Sequence, residues 1–213
     1  MTIPKLLLEV QNRRSDIIQL TSDLIKIPTI NPPGTNYREI CEFLSKRLKK
    51  SGFDVDIIRA KGALADTDKY PRFNLVARHE GTYSGPCIHF NSHIDVVDTG
   101  HGWTRDPFGG SIEGDKIFGR GSCDMKGGLA SSIVAAEVFI SIFPKYYGAI
   151  EISATADEET GGYGGVAWLA EKGYFNPKKV QSVIIPEPLN KDRICLGHRL
   201  SLIHISEPTR LSW

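Results

Sequence analysis

No apolar run in this chain is long enough to cross a bilayer, so a helical membrane span is excluded. The first ten residues, Met1 to Val10, lack the apolar core and the small-residue cleavage site of a secretory leader. Basic blocks and an aromatic-basic face are missing too. The 26 Lys and Arg nearly balance the 25 Asp and Glu, for a net charge of +1, and nucleic acid is not an expected partner. Cysteine is sparse: Cys41, Cys87, Cys123 and Cys195 show no paired spacing. That argues against a disulfide framework or a cysteine zinc site, and reduced thiols in a cytoplasm are expected. There is no internal repeat, and the glycine run Gly161 to Gly165 lacks the terminal Lys-Ser/Thr of a phosphate loop.

What is present is the composition of an ordinary globular chain: 213 residues, 40% hydrophobic and 24% charged. Ile17, Ile18, Leu20, Leu24 and Ile25 recur at helical spacing and predict a helix ending before Pro28. Asn31-Pro-Pro-Gly34 is a turn. Ile40, Phe43, Leu44 and Leu48 predict a second helix, stopped by Gly52. Phe53, Val55 and Ile57 alternate as in a half-buried strand. Asn74 to Arg78 and Cys87 to Asn91 read as neighbouring strands, and Ser111 to Phe118 as a hairpin. Gly127 and Gly128 open a long helix that ends before Pro144, and Ala149 to Thr155 is a strand. Val183 to Pro186 is an apolar run of the kind found in mid-sheet. Strands alternating with helices give an α/β class, a largely parallel mixed sheet with helices on both faces.

Five side chains follow strand-like runs or open a helix: His93, Asp124, Glu158, Glu159 and Glu187. In open α/β sheets, function collects beyond the carboxyl ends of strands. An imidazole among carboxylates suits a hard or borderline cation. Each residue has a plainer reading. His93 alone could be a surface histidine, and Asp124 could be the N-cap of the following helix. Glu158-Glu159 could be a solvated turn, and Glu187 an exposed residue between Pro186 and Pro188. The convergence outweighs these. Two adjacent carboxylates repel in a dry site unless a cation is present, and one can then bind it while the other moves a proton. Asp95, two residues after His93, could accept the free ring N–H and fix its tautomer. Asp157 is expected to be a structural hydrogen-bonder, and Cys123 a buried packing thiol.

The set His93-x-Asp95, Gly119-Arg-Gly-x-x-Asp-Met-Lys-Gly127, Asp157-Glu-Glu159 and Pro186-Glu-Pro188 resembles the acetylornithine deacetylase and succinyl-diaminopimelate desuccinylase family. That family stands with aminoacylases and glutamate carboxypeptidases among dinuclear zinc amidohydrolases. The resemblance implies a zinc-exopeptidase-like catalytic domain with two divalent metal ions, zinc or else cobalt. It implies that His93, Asp124 and Glu187 hold one ion, and that Asp124 and Glu159 hold the other, with Asp124 bridging. Asp95 would orient His93, Glu158 would be the general base, and the Asp124–Met125 peptide would be cis. The implied reaction is removal of a succinyl or acetyl group from an N-acyl amino acid or diamino acid. A dipeptidase or carboxypeptidase is the alternative.

The resemblance runs from about residue 10 to Arg199. The late histidine of the second metal site and the lid and dimerisation domain of the family are not in the chain. Residues 1–199 are therefore expected to be the N-terminal part of the catalytic domain of a homodimeric cytoplasmic enzyme. The run Leu200 to Arg210 matches, residue for residue, a translated transposase sequencing adapter. Residues 200–213 are expected to be non-native, and His204 is not promoted to a ligand. As printed, the chain is expected to bind about one metal tightly and to be inactive.

Overall fold

The computed structural model describes residues 3–189. Three helices come first: α1 (Ile3–Asn12), α2 (Arg14–Ile25) and α3 (Tyr37–Lys50). Strands β1 (Asp54–Arg59), β2 (Phe73–Glu80) and β3 (Tyr83–His93) follow, then a hairpin of β4 (Ser111–Glu113) and β5 (Lys116–Phe118). Next come α4 (Lys126–Ile142), β6 (Tyr147–Thr155), α5 (Val166–Glu171) and β7 (Val180–Ile184). The sequence also predicts a short helix around Val166 to Leu169, where α5 lies, and its patterns anticipate the other elements except α1, whose apolar residues are partly exposed against the core.

The main sheet has the order β1-β2-β6-β3-β7. β1 with β2, and β2 with β6, pair antiparallel; β6 with β3, and β3 with β7, pair parallel. Only β2 therefore runs against the other four strands, and the sheet is largely parallel and mixed. β2 and β3 are not neighbours, contrary to the sequence reading. α4 carries the chain back so that β6 slots between them. Every residue of β6 after Tyr147 is buried, as a central strand requires. β7 corrects the sequence reading too. Among the described residues it is an edge strand, with Val183 51% and Ile184 46% exposed, because β3 is its one partner there.

Helices α2, α3 and α4 cover one face. Leu20, Leu24, Ile40, Leu44, Leu48, Ile133 and Val134 meet Leu75, Ala77, Ile150 and Ile152 in one apolar cluster. Each such Leu, Ile or Val side chain contributes about 1.5–3 kcal/mol when fully buried. Farther along α4, Glu137 and Asp16 share two arginines. Arg47 reaches Asp16 at 2.8 Å and Glu137 at 2.7 Å, and Arg13 bonds both carboxylates as well. The Ser51 hydroxyl also donates to Glu137, at 2.9 Å.

The opposite face carries a polar ladder at its centre. His89 and Glu151 are register partners, and the His89 ring meets the Glu151 carboxylate at 2.6 Å and the Ser153 hydroxyl at 2.8 Å. This has the connectivity of an acid–histidine–serine triad. Ser153 is fully buried and already accepts the Asn91 amide, so the ladder is structural. Phe175, after α5, packs edge-on against the His89 ring.

Candidate metal centre

His93 is the last residue of β3 and lies opposite Thr155, the last residue of β6. The parallel pairing of these strands thus delivers His93 and the Asp157–Glu159 turn to one sheet edge. The His93 ring is buried, and its Nδ1 donates to the Asp95 backbone carbonyl at 2.9 Å. A carbonyl only accepts, so Nδ1 carries a proton, and Nε2 faces the cluster. Nε2 lies 2.9 Å from Asp124 Oδ1, 3.7 Å from Glu187 Oε1 and 3.9 Å from Glu158 Oε2. Donor atoms of His93, Asp124 and Glu159 all fall within 4.8 Å of one another. The five residues singled out in the sequence thus come together.

The Asp95 carboxylate does more than attend His93, from which it stands 3.6 Å away. Its two oxygens accept the backbone N–H groups of Glu158 and Glu159, each at 3.1 Å. Asn31 adds its amide to the same carboxylate at 2.9 Å. Asn31 arrives there because the Ile30–Val96 bridge lays its segment beside the end of β3.

Asp157 has a left-handed backbone, φ 62°, at the sharp turn into Glu158. Its buried carboxylate takes Arg72 at 3.0 Å and the Tyr37 hydroxyl at 3.1 Å. Arg72 also donates to the carbonyls of Pro33 and Tyr70. The glycine run beyond is a packing device. A Cβ at Gly164 would collide with Asp157 and Arg72, and one at Gly165 with the Ala156 carbonyl.

Asp124 ends a turn whose Gly121 has φ 85°; a Cβ there would come within 2.7 Å of Val96. The Asp124–Met125 peptide is cis. Asp124 is not the N-cap of α4; Met125 is, and it makes no side-chain cap bond. Lys126, fully buried, donates to the carbonyls of Leu24 and Ile27, 2.9 and 2.8 Å away, at and just past the end of α2. Burial pulls its amine down to about 7, against the pull of Asp95. Cys123 is exposed, not buried as expected, because its turn lies on the surface beside the partly open Asp124.

The electrostatics fit a cation. Burial disfavours charge on His93, but Asp124 and Asp95 overcome it and push the imidazole up to about 11. Burial, with Asp124 and Glu158 nearby, pushes Glu187 up to about 7. Burial also raises Glu159, while the His93 hydrogen bond lowers Asp124. One ring proton is left to hold several carboxylates together. A divalent ion in its place would meet a neutral imidazole nitrogen and carboxylate oxygens, which is a zinc-type donor set.

A model of peptidase family M20/M25/M40 matches residues 89–211, more than half of the chain. The chain belongs to peptidase family M20/M25/M40. Among curated M20-type relatives, the succinyl-diaminopimelate desuccinylase of Stenotrophomonas maltophilia (strain K279a) is 34% identical over 88% of this chain and 48% of its own length. That of Acinetobacter baumannii (strain ACICU) is 34% identical over 84% and 44%. The chain thus spans about half the length of the curated relatives it matches. Human carnosine dipeptidase 1 superposes with a TM-score of 0.71 at 21% identity, covering 86% of this chain and 41% of that one. An M20 family metallo-carboxypeptidase from Sulfolobus solfataricus gives 0.66 at 24%, covering 80% and 37%. These two establish the shared M20 fold.

Residues 190–213, with Cys195, His198, His204 and the adapter-like run, lie outside the described residues. Sequence reading missed Asn31, Tyr37 and Arg72. No local motif marks them, because each reaches the site from a distant segment.

Proposed function

We propose that the whole protein is a metal-dependent hydrolase that removes a succinyl or acetyl group from an N-acyl amino acid or diamino acid. The observation that carries the reading is the gathering of His93, Asp124, Glu158, Glu159 and Glu187 at one sheet edge. The desuccinylase relatives support the substrate class. His93, Asp124 and Glu187 would hold one divalent ion, and Asp124 and Glu159 the second, zinc or cobalt. When bound, the ions supply a Lewis acid for the acyl carbonyl and make water easier to deprotonate.

The chain's own residues do the rest. Glu158 takes the proton from the attacking water and passes it to the leaving amine. Its partly exposed carboxylate, 3.9 Å from the buried His93 ring, suits contact with both. Asp95 holds the Glu158 and Glu159 backbones, so the base keeps its place relative to the ligand. The setting is the cytoplasm, and the whole enzyme acts as a homodimer on a small molecule.

The structural neighbours, a carnosine dipeptidase and a metallo-carboxypeptidase, favour a second reading, a dipeptidase or carboxypeptidase. A panel of succinyl and acetyl amino acids against dipeptides, run on the full-length protein, decides between them. Glu158→Gln in that protein should cost about 10²–10⁴-fold in kcat with metal content unchanged. Retained turnover would remove Glu158 as the base. The 213-residue chain by itself should bind about one zinc tightly and turn over no acyl amino acid. Two tight ions with turnover would overturn that.

A further inference from the structure

Gly128 stands in the first turn of α4, four residues after Asp124. It is not among the glycines with positive φ, so its backbone does not call for glycine. In a helix, alanine is the better residue on propensity and on unfolded-state entropy. The reason for glycine here is space. A Cβ at this position would overlap the Pro186 carbonyl oxygen and stand 3.2 Å from the Pro186 side chain. Pro186 is the residue before Glu187.

A second observation makes this contact decisive. The β3–β7 ladder ends at Phe90↔Ile184, so strand pairing stops before Pro186 and Glu187. Among the described residues, the one backbone hydrogen bond of 185–188 outside the strands is local, from Leu189 N–H to the Glu187 carbonyl. Packing against α4 is therefore what locates Glu187. Since α4 also follows directly on Asp124, the same contact sets the spacing of the two carboxylates, which is hydrogen-bonding range.

We propose that Gly128 is a positioning residue: its bare Cα receives Pro186 and so seats Glu187 against Asp124 and His93 for metal binding. This rests on the reading of Glu187 as a metal ligand. Alanine at 128 drives Pro186 off the helix and moves Glu187 out of reach, although it favours the helix itself.

The test is cobalt(II) titration of the 213-residue chain, read by the visible absorption of the bound ion. The wild type is compared with Gly128→Ala, Glu187→Gln and the double variant. Gly128→Ala should weaken binding about 10–100-fold, the usual cost of disturbing support around a ligand. Its cobalt spectrum should change as it does in Glu187→Gln, and its far-UV circular dichroism should keep its helix signal. The double variant should bind no worse than the weaker single one, since both act through one carboxylate. Wild-type binding by Gly128→Ala, or additive losses, would overturn the proposal while leaving Glu187 a ligand. Unchanged binding by Glu187→Gln would sink the ligand reading, and the proposal with it. If the alanine chain does not fold, hydrogen exchange on wild type decides. Cobalt should slow exchange across residues 127–130, and do so less in Glu187→Gln. Equal protection in the two would refute the seating role.

Discussion

Arg72→Met should unfold the chain far more readily than its distance from the cation cluster suggests. Arg72 and Asp157 are each 3% exposed in their side chains and stand 3.0 Å apart. Methionine keeps much of the volume but leaves a buried carboxylate whose main remaining partner is the Tyr37 hydroxyl. Breaking one side of a buried ion pair costs about 3–5 kcal/mol. Against a usual total of about 5–15 kcal/mol, that is a large share. With a urea slope of about 2 kcal/mol per molar, the midpoint should fall by about 2 M.

The sign with pH is also fixed. Burial already raises the Asp157 carboxyl above its ordinary value, and Arg72 opposes that. Without Arg72 the folded-state value rises further. A raised carboxyl favours folding fully below its unfolded value, and the advantage is lost as pH climbs through the folded one. The deficit of Arg72→Met should therefore be smaller near pH 4 than near pH 8. Adding Asp157→Asn should restore part of the loss by removing the stranded charge. Equilibrium urea unfolding at both pH values measures all of this. A midpoint shift under about 0.5 M, or a double variant no more stable than Arg72→Met, would refute the reasoning.

Three further outcomes follow from the same geometry. Asp95→Asn keeps the shape but leaves one oxygen for two backbone N–H groups, so zinc affinity should drop about 10–100-fold in calorimetric titration. Lys126→Met strands the Ile27 carbonyl and leaves the Leu24 carbonyl to the Ile27 N–H, and urea unfolding should show a loss of about 1–3 kcal/mol even though a buried charge is removed. Hydrogen bonds from Arg47, then Arg13, hold the Asp16 carboxyl down at about 2. Its contribution is present above the ordinary carboxylate range and is lost as pH falls toward 2. Thermal midpoints scanned from neutral to acid should therefore drop less steeply for Asp16→Asn than for wild type.

The candidate cluster was legible in sequence because most of its side chains follow strand ends, and strand ends can be seen locally. His93 follows an apolar run, Glu158 and Glu159 follow another, and Pro186 and Pro188 bracket Glu187. What holds them was not legible. Arg72 meets Asp157 across 85 positions and Asn31 meets Asp95 across 64, and neither pairing leaves a trace in spacing. Strand order failed for a related reason: β2 and β3 are adjacent in the chain, but the buried pattern of β6 decides which strand sits between them. The run Gly161 to Gly165 lacks the Lys-Ser/Thr of a phosphate loop, but composition does not say what it is for; its last two members serve close packing against Ala156, Asp157 and Arg72.

The Asp95 carboxylate that clasps two successive amides has one more consequence. With the main chain of Glu158 and Glu159 clamped from behind, only their side-chain torsions remain adjustable. Reach then becomes the quantity that decides what these two side chains touch. An aspartate at either would keep its charge yet fall short, because the main chain cannot lean forward to make up the missing methylene. The turn therefore acts as a fixed bench, and evolution can tune what happens on it by the length of the tool rather than by moving the bench.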